Sequence, residues 1–153
     1  MPHVTIEHMI MLPLLILQIF LFPLTVSWLM DIWVNSRRTL ELQDAASHLA
    51  SVIQQAYAIM KHATIKSGTA VFSTGLPPYI ENHSYIGNAT LKSNGILKIT
   101  LKLEDVGITK EASVILGANV TWRESTFISN SANAYVVAEK FPNNTICLFF
   151  GGD

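Results

Sequence analysis

The first third of the chain carries two successive helical patterns of apolar residues. No charged side chain occurs from Met9 to Met30, a run of 22 residues that are mostly Leu, Ile, Met, Phe and Val. At a rise of about 1.5 Å per residue, about 20 apolar residues cross the hydrocarbon core of a bilayer. From residue 36 the apolar positions instead recur at three- and four-residue spacing, which is typical of an amphipathic helix. They are Leu42, Ala45, Ala46, Leu49, Val52, Ile53, Ala56, Met60 and Ala63.

No Gly or Pro interrupts the sequence between Leu24 and Ser67, so both patterns are predicted to lie on one helix of about 60 residues that ends near Lys66. Beyond Gly68 the apolar residues alternate with polar ones, and turn residues punctuate the chain about every ten residues. Six strands are predicted, over residues 69–73, 84–92, 95–104, 113–125, 134–140 and 144–150. Strands of this length and spacing indicate a small antiparallel β-sandwich of immunoglobulin-like (Ig-like) type.

The predicted fold class is therefore α+β, with one long N-terminal helix followed by a β head. Residues 1–67 form the helical part, with a hydrophobic segment at 9–30 and an amphipathic segment at 36–66, and residues 68–153 form the globular β domain. About 85 residues remain after the helix, which limits the chain to one small globular domain. Charged residues make up 14% of the chain against a usual share of about 25%, and the deficit is concentrated in the apolar run.

The apolar run is expected to be retained as part of the mature protein. A cleavable signal peptide has a basic region, an apolar stretch of about 7 to 15 residues and a small-residue cleavage site. Here the apolar run is longer, no Lys or Arg precedes it, and an amphipathic helix follows it directly. Trp28 and Trp33 stand at its far end, where indole rings commonly lie at a membrane interface or pack between helices.

Four N-x-S/T sequons follow the helix and make their asparagines candidate glycosylation sites: Asn82, Asn88, Asn119 and Asn143. Such a group indicates an extracellular, glycosylated surface. Arg37 and Arg38 point the other way, because the positive-inside rule places basic residues that flank an apolar helix in the cytoplasm. The two signals agree if a short basic leader preceded these residues and was removed, or if the true start of the chain differs from Met1.

The sequence offers no constellation for catalysis, for a metal or for a cofactor, and we expect the protein not to be an enzyme. His48 and His62 are too far apart on one helix to share a metal ion, and Glu104 and Asp105 are adjacent in sequence, so their side chains point to opposite faces of a strand. The net charge of −1 has no basic patch, which speaks against a nucleic-acid partner. Cys147 is the single cysteine, and we expect it to be a small buried hydrophobe.

Glu7 stands directly before the apolar run, and two interpretations of it remain open. Near the N-terminus of a helix, a carboxylate is stabilised by the helix dipole and caps free amides. Alternatively, the carboxylate becomes buried when several such helices bundle, and it then needs a cationic partner. The α-amino group of a neighbouring chain would supply that cation, and Glu7 would fix the register of the assembly.

The stretch VTIEHMIMLPLLILQ, the long helix behind it and the Thr- and Asn-rich β head together resemble the type IV pilin superfamily, most closely archaeal pilins. The spacing of Glu7, Pro13, Leu14 and Leu15 is also similar to that of tight-adherence pseudopilins. The resemblance implies a subunit that leaves the cytoplasmic membrane and polymerises with identical copies into an extracellular, helical surface filament. It further implies a core of packed N-terminal helices, exposed β domains, and a role in adhesion or surface attachment.

The resemblance also supplies candidate assembly residues. They are Glu7, Pro13, Leu14, Leu15, Leu17, Phe20, Phe22, Trp28 and Trp33. The expected partners are identical subunits, the membrane before assembly, and N-glycans. The alternative function is a membrane-anchored protein with a single span, whose β domain binds a partner or the cell envelope.

Overall fold

The computed structural model describes residues 3–151, with side chains from Met9 onward. One helix, α1, extends from His3 to Lys61, and eight short strands follow it. The chain divides into two compact units, residues 1–37 and residues 38–153. These elements confirm the prediction of an α+β protein with one long N-terminal helix.

The eight strands form two four-stranded sheets. Their bounds are β1 Gly68–Ser73, β2 Tyr85–Leu91, β3 Ile96–Leu103, β4 Thr109–Ile115, β5 Val120–Trp122, β6 Thr126–Ile128, β7 Tyr135–Lys140 and β8 Ile146–Phe150. The first sheet has the order β1-β7-β8-β5 and the second has the order β4-β3-β2-β6. Neighbouring strands in these sheets are antiparallel, except that β5 and β8 are parallel.

The second half of α1 supplies one wall of the hydrophobic core of residues 38–153. The predicted apolar stripe is buried from Leu42 to Met60, and it packs in one cluster with residues of both sheets, such as Leu101 and Leu148. The amphipathic pattern is thus explained, because the chain covers this stripe with its own strands. Ala63 lies beyond the end of the helix and is exposed.

The helix ends at Lys61, five residues before the predicted end at Lys66. The Lys140 Nζ atom donates a hydrogen bond to the His62 carbonyl at 3.2 Å, and the His62 Nδ1 and Thr64 Oγ1 atoms lie 2.6 Å apart. Thr64 and Ile65 are β-branched and so are weak helix formers. The contact with Lys140 and the local turn at His62 and Thr64 therefore accompany a helix end that comes before Gly68.

The predicted strand at 113–125 was wrong, because the chain changes sheets within it. Residues 116–119 connect β4 in the second sheet to β5 in the first. A Cβ atom on Gly117 would lie 2.1 Å from the Tyr57 hydroxyl, so the crossing passes close to α1, and a larger residue here would displace the Tyr57 ring. Strand β6 was not predicted, since three residues are too few to show alternation.

Residues with positive φ close two of the hairpins. Gly95, with φ of 75°, closes the hairpin between β2 and β3, and the Asn94 side chain accepts a hydrogen bond from the Ile96 amide at 3.2 Å. Asn144, with φ of 67°, closes the hairpin between β7 and β8. Gly and Asn are the residue types that adopt this left-handed conformation most readily.

Candidate assembly surface

The apolar part of α1 lies exposed along its whole described length. Every large apolar side chain from Met9 to Trp33 is exposed, and the exposed fractions include 58% for Leu17, 69% for Phe22 and 64% for Trp28. Because these residues cover all sides of the helix, no single packing face can shield them. By length and composition, this helix is long enough and apolar enough to cross a membrane.

The structure brings most of the predicted assembly residues together on this surface. Pro13, Leu14, Leu15, Leu17, Phe20, Phe22, Trp28 and Trp33 are all exposed residues of α1. Glu7 belongs to the helix by its backbone, but its side chain lies outside the described residues. Its assembly role therefore stays a prediction.

The two prolines of the apolar segment lie inside continuous α-helix. A proline has no amide hydrogen, so Pro13 and Pro23 remove the usual donors to the carbonyls of Met9 and Ile19. Proline is tolerated in membrane helices, where neighbouring helices, hydroxyl groups or water satisfy such carbonyls. The helix thus carries two backbone carbonyls that lack their usual amide donors.

A shallow cleft on α1 contains the polar side chains of Gln18 and Thr25 beside Leu14, Leu17 and Phe22. The Thr25 Oγ1 atom lies 2.8 Å from the Phe22 carbonyl and 3.1 Å from the Leu21 carbonyl. This back-bonding lets a hydroxyl enter an apolar medium without an external partner. Gln18 carries an amide group, which can donate and accept hydrogen bonds across a helix–helix contact.

The boundary between the apolar and polar parts of α1 is marked by Trp33 and Arg37. The Arg37 guanidinium lies 5.9 Å from the centroid of the Trp33 ring. This separation permits a cation–π interaction, which is strongest when the pair is shielded from water. Such a pair suits the edge of an apolar layer, whether lipid or packed helices form that layer.

All four sequon asparagines are exposed: Asn82, Asn88, Asn119 and Asn143. Asn82 lies in the turn before β2, and Asn88 projects from β2 between the buried residues Gly87 and Ala89. Asn119 lies in the crossing between the sheets, and the Asn143 side chain accepts a hydrogen bond from the Thr145 amide at 3.1 Å. Each of the four asparagine side chains therefore faces solvent in the folded head.

Sequence reasoning missed Lys140, which is buried with only 5% of its surface exposed. The sequence does indicate this burial, because Val136, Ala138 and Lys140 occupy alternate positions and so share one face of β7. Cys147 is buried, as predicted. Within the described part of the chain, no group of three or more His, Cys, Asp or Glu side chains is placed to hold a metal ion.

Comparison of this chain with family models, with curated proteins and with solved structures finds no match.

Proposed function

We propose that this protein is the structural subunit of an extracellular filament similar to type IV pili, most like the archaeal ones. Identical subunits pack their apolar helix segments into the filament core and display their β domains outside. Before assembly the same helix holds the subunit in the cytoplasmic membrane. The displayed domains serve adhesion or surface attachment.

One observation carries this proposal, namely the contrast between the two halves of α1. Leu42, Leu49 and Ile53 are fully buried by the protein's own strands, whereas the apolar side chains from Met9 to Trp33 are exposed on all sides. An apolar surface of this extent must be covered by lipid or by other helices. Packing among identical helices covers every side at once, and a helical repeat extends it without limit.

We also propose that the two sheets of the head form an Ig-like sandwich. The Phe127 ring on β6 and the Phe150 ring on β8 have centroids 5.6 Å apart, so an aromatic contact joins the two sheets. Trp122 on β5 packs on the same Phe150 ring at 4.9 Å. These contacts support two sheets that share a core, to which α1 also contributes.

Glycosylation of the head and the absence of enzymatic activity are also part of the proposal. The exposure of Asn82, Asn88, Asn119 and Asn143 supports a glycoprotein whose sugars cover the outer surface. A filament subunit requires neither a catalytic centre nor a cofactor, since its function is its packing.

Electron microscopy of a sheared surface fraction from the source cells, prepared without detergent, tests the filament. We expect uniform thin fibres that contain this chain, identified by intact and peptide mass, and the same masses count the glycans. If the chain is found only in detergent-extracted membrane and no fibres are seen, the proposal is wrong.

That second outcome would support the alternative function, a membrane-anchored β domain with a single span. The length and composition of α1 favour it as well, because one helix of this kind suffices as an anchor. In this case the β domain binds a partner or the cell envelope. The chain would then fractionate with the bilayer, and its apolar helix would require detergent for purification.

A further inference from the structure

Lys140 is a buried cation without an acidic partner. Its Nζ atom donates one hydrogen bond, to the His62 carbonyl at 3.2 Å, and none of the ion pairs among the described residues includes it. An ammonium group has three donors, so a single carbonyl leaves much of its hydrogen-bonding capacity unused. Removing a charge from water is costly unless it is paired and fully hydrogen-bonded.

The end of α1 compensates only part of this charge. The His62 carbonyl follows directly on the last helical residue, where the helix dipole amounts to about half a negative charge. The hydrogen bond places the Lys140 ammonium group at the negative end of the helix dipole. The full positive charge of Lys140 is larger than this partial negative charge, so an additional anion would stabilise the lysine.

A cavity of about 300 Å³ lies beside this lysine, within the unit formed by residues 38–153. Its wall includes a second lysine and several groups that form hydrogen bonds with sugars. These are Lys140, Lys61, Tyr57, Asn119 and Asn144. No Asp or Glu side chain is among the described residues that line it. The cavity thus combines two cations with neutral donors and no competing carboxylate.

We propose that this cavity binds a small sugar acid, with the carboxylate held by Lys140 and Lys61 and the hydroxyl groups held by Asn119, Asn144 and Tyr57. The volume is at the lower end of the range of small-molecule pockets. The neutral amides and the phenol match a ligand that is rich in hydroxyl groups. This site does not depend on filament assembly, because every residue involved belongs to the unit of residues 38–153.

The acid has two potential sources, a free sugar acid in the medium or an acidic residue of a glycan on the protein itself. Asn119 is a sequon asparagine that lines the cavity, and Asn143 directly precedes the lining residue Asn144. A glycan attached at Asn119 would begin at the cavity wall. Both sources present the same carboxylate to the same lysines.

The test uses the full-length chain in detergent micelles, produced in a host that does not glycosylate it. Thermal unfolding of the head is followed by near-ultraviolet circular dichroism in sodium glucuronate and in sodium chloride of equal ionic strength. We expect glucuronate to raise the unfolding midpoint in a saturable manner, because a ligand that binds only the folded state stabilises it. Equal midpoints in the two salts would overturn the proposal, and so would an equal rise with inorganic phosphate.

Three variants test whether the two cavity lysines cause the rise in the unfolding midpoint. Lys140→Met keeps the apolar stem and removes the charge, and it should abolish the rise. Lys61→Met leaves the buried lysine in place and should weaken the apparent affinity for glucuronate by several-fold. This second variant keeps the proposal testable if Lys140→Met does not fold. Lys102→Met, an exposed residue of β3, is the control and should respond like the wild type. A full rise in both cavity variants contradicts the assignment.

A comparison of glycosylated proteins separates the two sources. Thr121→Ala removes the Asn119 sequon and leaves the cavity wall unchanged, since Thr121 does not line it. If the glycan supplies the acid, protein from the source cells should gain no stability from added glucuronate, whereas the Thr121→Ala protein should gain it. If the acid is free, both proteins should respond. A failure of both to respond overturns the site.

Discussion

Gly87 shows how closely side chains pack in the centre of the second sheet. It lies on β2 opposite Leu101 of β3 and Phe127 of β6. A Cβ atom at this position would lie 2.6 Å from the Leu101 Cδ2 atom and 3.1 Å from the Phe127 Cβ atom. The missing side chain therefore lets two core residues meet across a central strand.

We expect Gly87→Ala to lower the free energy of unfolding of the head by about 1–3 kcal/mol, because an added methyl group in a packed core forces its neighbours to move. Chemical denaturation followed by circular dichroism measures the change. Lys102→Ala, at an exposed position on β3, is the matched control and should change stability by less than about 0.5 kcal/mol. If Gly87→Ala and the control have equal free energies of unfolding, the neighbouring side chains can move to accept a methyl group at little cost.

Tyr85 links the folding stability of the head to alkaline pH. Its side chain is fully buried and its hydroxyl donates a hydrogen bond to the Pro77 carbonyl at 2.7 Å. Burial raises the pKa of Tyr85 from 10.0 to about 12, because the phenolate loses hydration. The unfolded chain then releases this proton at lower pH than the folded one, so the stability due to Tyr85 falls as pH rises from about 10 to about 12.

We expect Tyr85→Phe to remove this part of the alkaline loss of stability. At neutral pH the variant should be less stable by about 0.5–1.5 kcal/mol, because the Pro77 carbonyl loses its donor. Denaturation curves at a series of alkaline pH values, with parallel phenolate absorbance titrations, measure both effects. Identical alkaline stability profiles of variant and wild type would contradict the assignment to Tyr85.

Glu7 is the residue through which the proposed assembly is most easily tested. We expect Glu7→Ala to reduce the yield of sheared filaments strongly, because a neighbouring subunit would lose the partner of its α-amino group. Membrane insertion should stay nearly unchanged. Glu124→Ala, an exposed acidic residue of the head, is the control. Filaments at normal yield would leave Glu7 with the role of a helix cap alone.

At the scale of elements, α1 performs two tasks with one secondary structure. Leu49 is fully buried against the strands, whereas Leu17 on the same helix is 58% exposed. The same substitution at both positions therefore separates the stability of the head from assembly.

Leu49→Ala should lower the free energy of unfolding of the head by about 2–5 kcal/mol, the range found for leucines that leave a cavity in a core. Leu17→Ala should leave that free energy unchanged and reduce filament yield. Urea unfolding in micelles and quantitation of sheared filaments provide the two measurements. The division of tasks is refuted if Leu17→Ala destabilises the head as much as Leu49→Ala.

The sequence predicted those elements whose residues repeat with a clear period. The stripe from Leu42 to Met60 and the alternation within β3 each depend on local spacing, and the structure confirms both. The end of α1 at Lys61 is contacted by Lys140, and the change of sheet at residues 116–119 passes close to Tyr57, so both involve residues from distant parts of the chain. Periodicity alone contains no information about such contacts.

The candidate surface on α1 is formed by residues that are close in sequence, whereas the cavity is formed by residues that are far apart in sequence. The apolar run and each sequon are short continuous stretches of sequence, so the sequence alone predicts them. The cavity gathers Tyr57 from α1, Gly117 from the connection between β4 and β5, and Lys140 from β7. No spacing rule connects these residues, and only the fold brings them together.

At the scale of the whole molecule, the unit formed by residues 38–153 contains its own core. We expect a chain of residues 38–153 to be soluble, folded and monomeric without detergent, since the apolar run is absent and the stripe on α1 is covered. Sedimentation velocity and circular dichroism test this, with the full-length chain as the comparison. Aggregation of the shorter chain would contradict this expectation.

The position of β8 has a consequence for biogenesis. This strand lies between β7 and β5, and β1 pairs with β7 about 70 residues further along the chain. The hairpins of β2, β3 and β4 are local and can form while synthesis continues, whereas the first sheet must wait for residues 146–150 to leave the ribosome. Until then the hydrophobic cluster that includes the α1 stripe lacks the residues of the first sheet. A chaperone that holds the nascent chain at this stage would protect it from premature association.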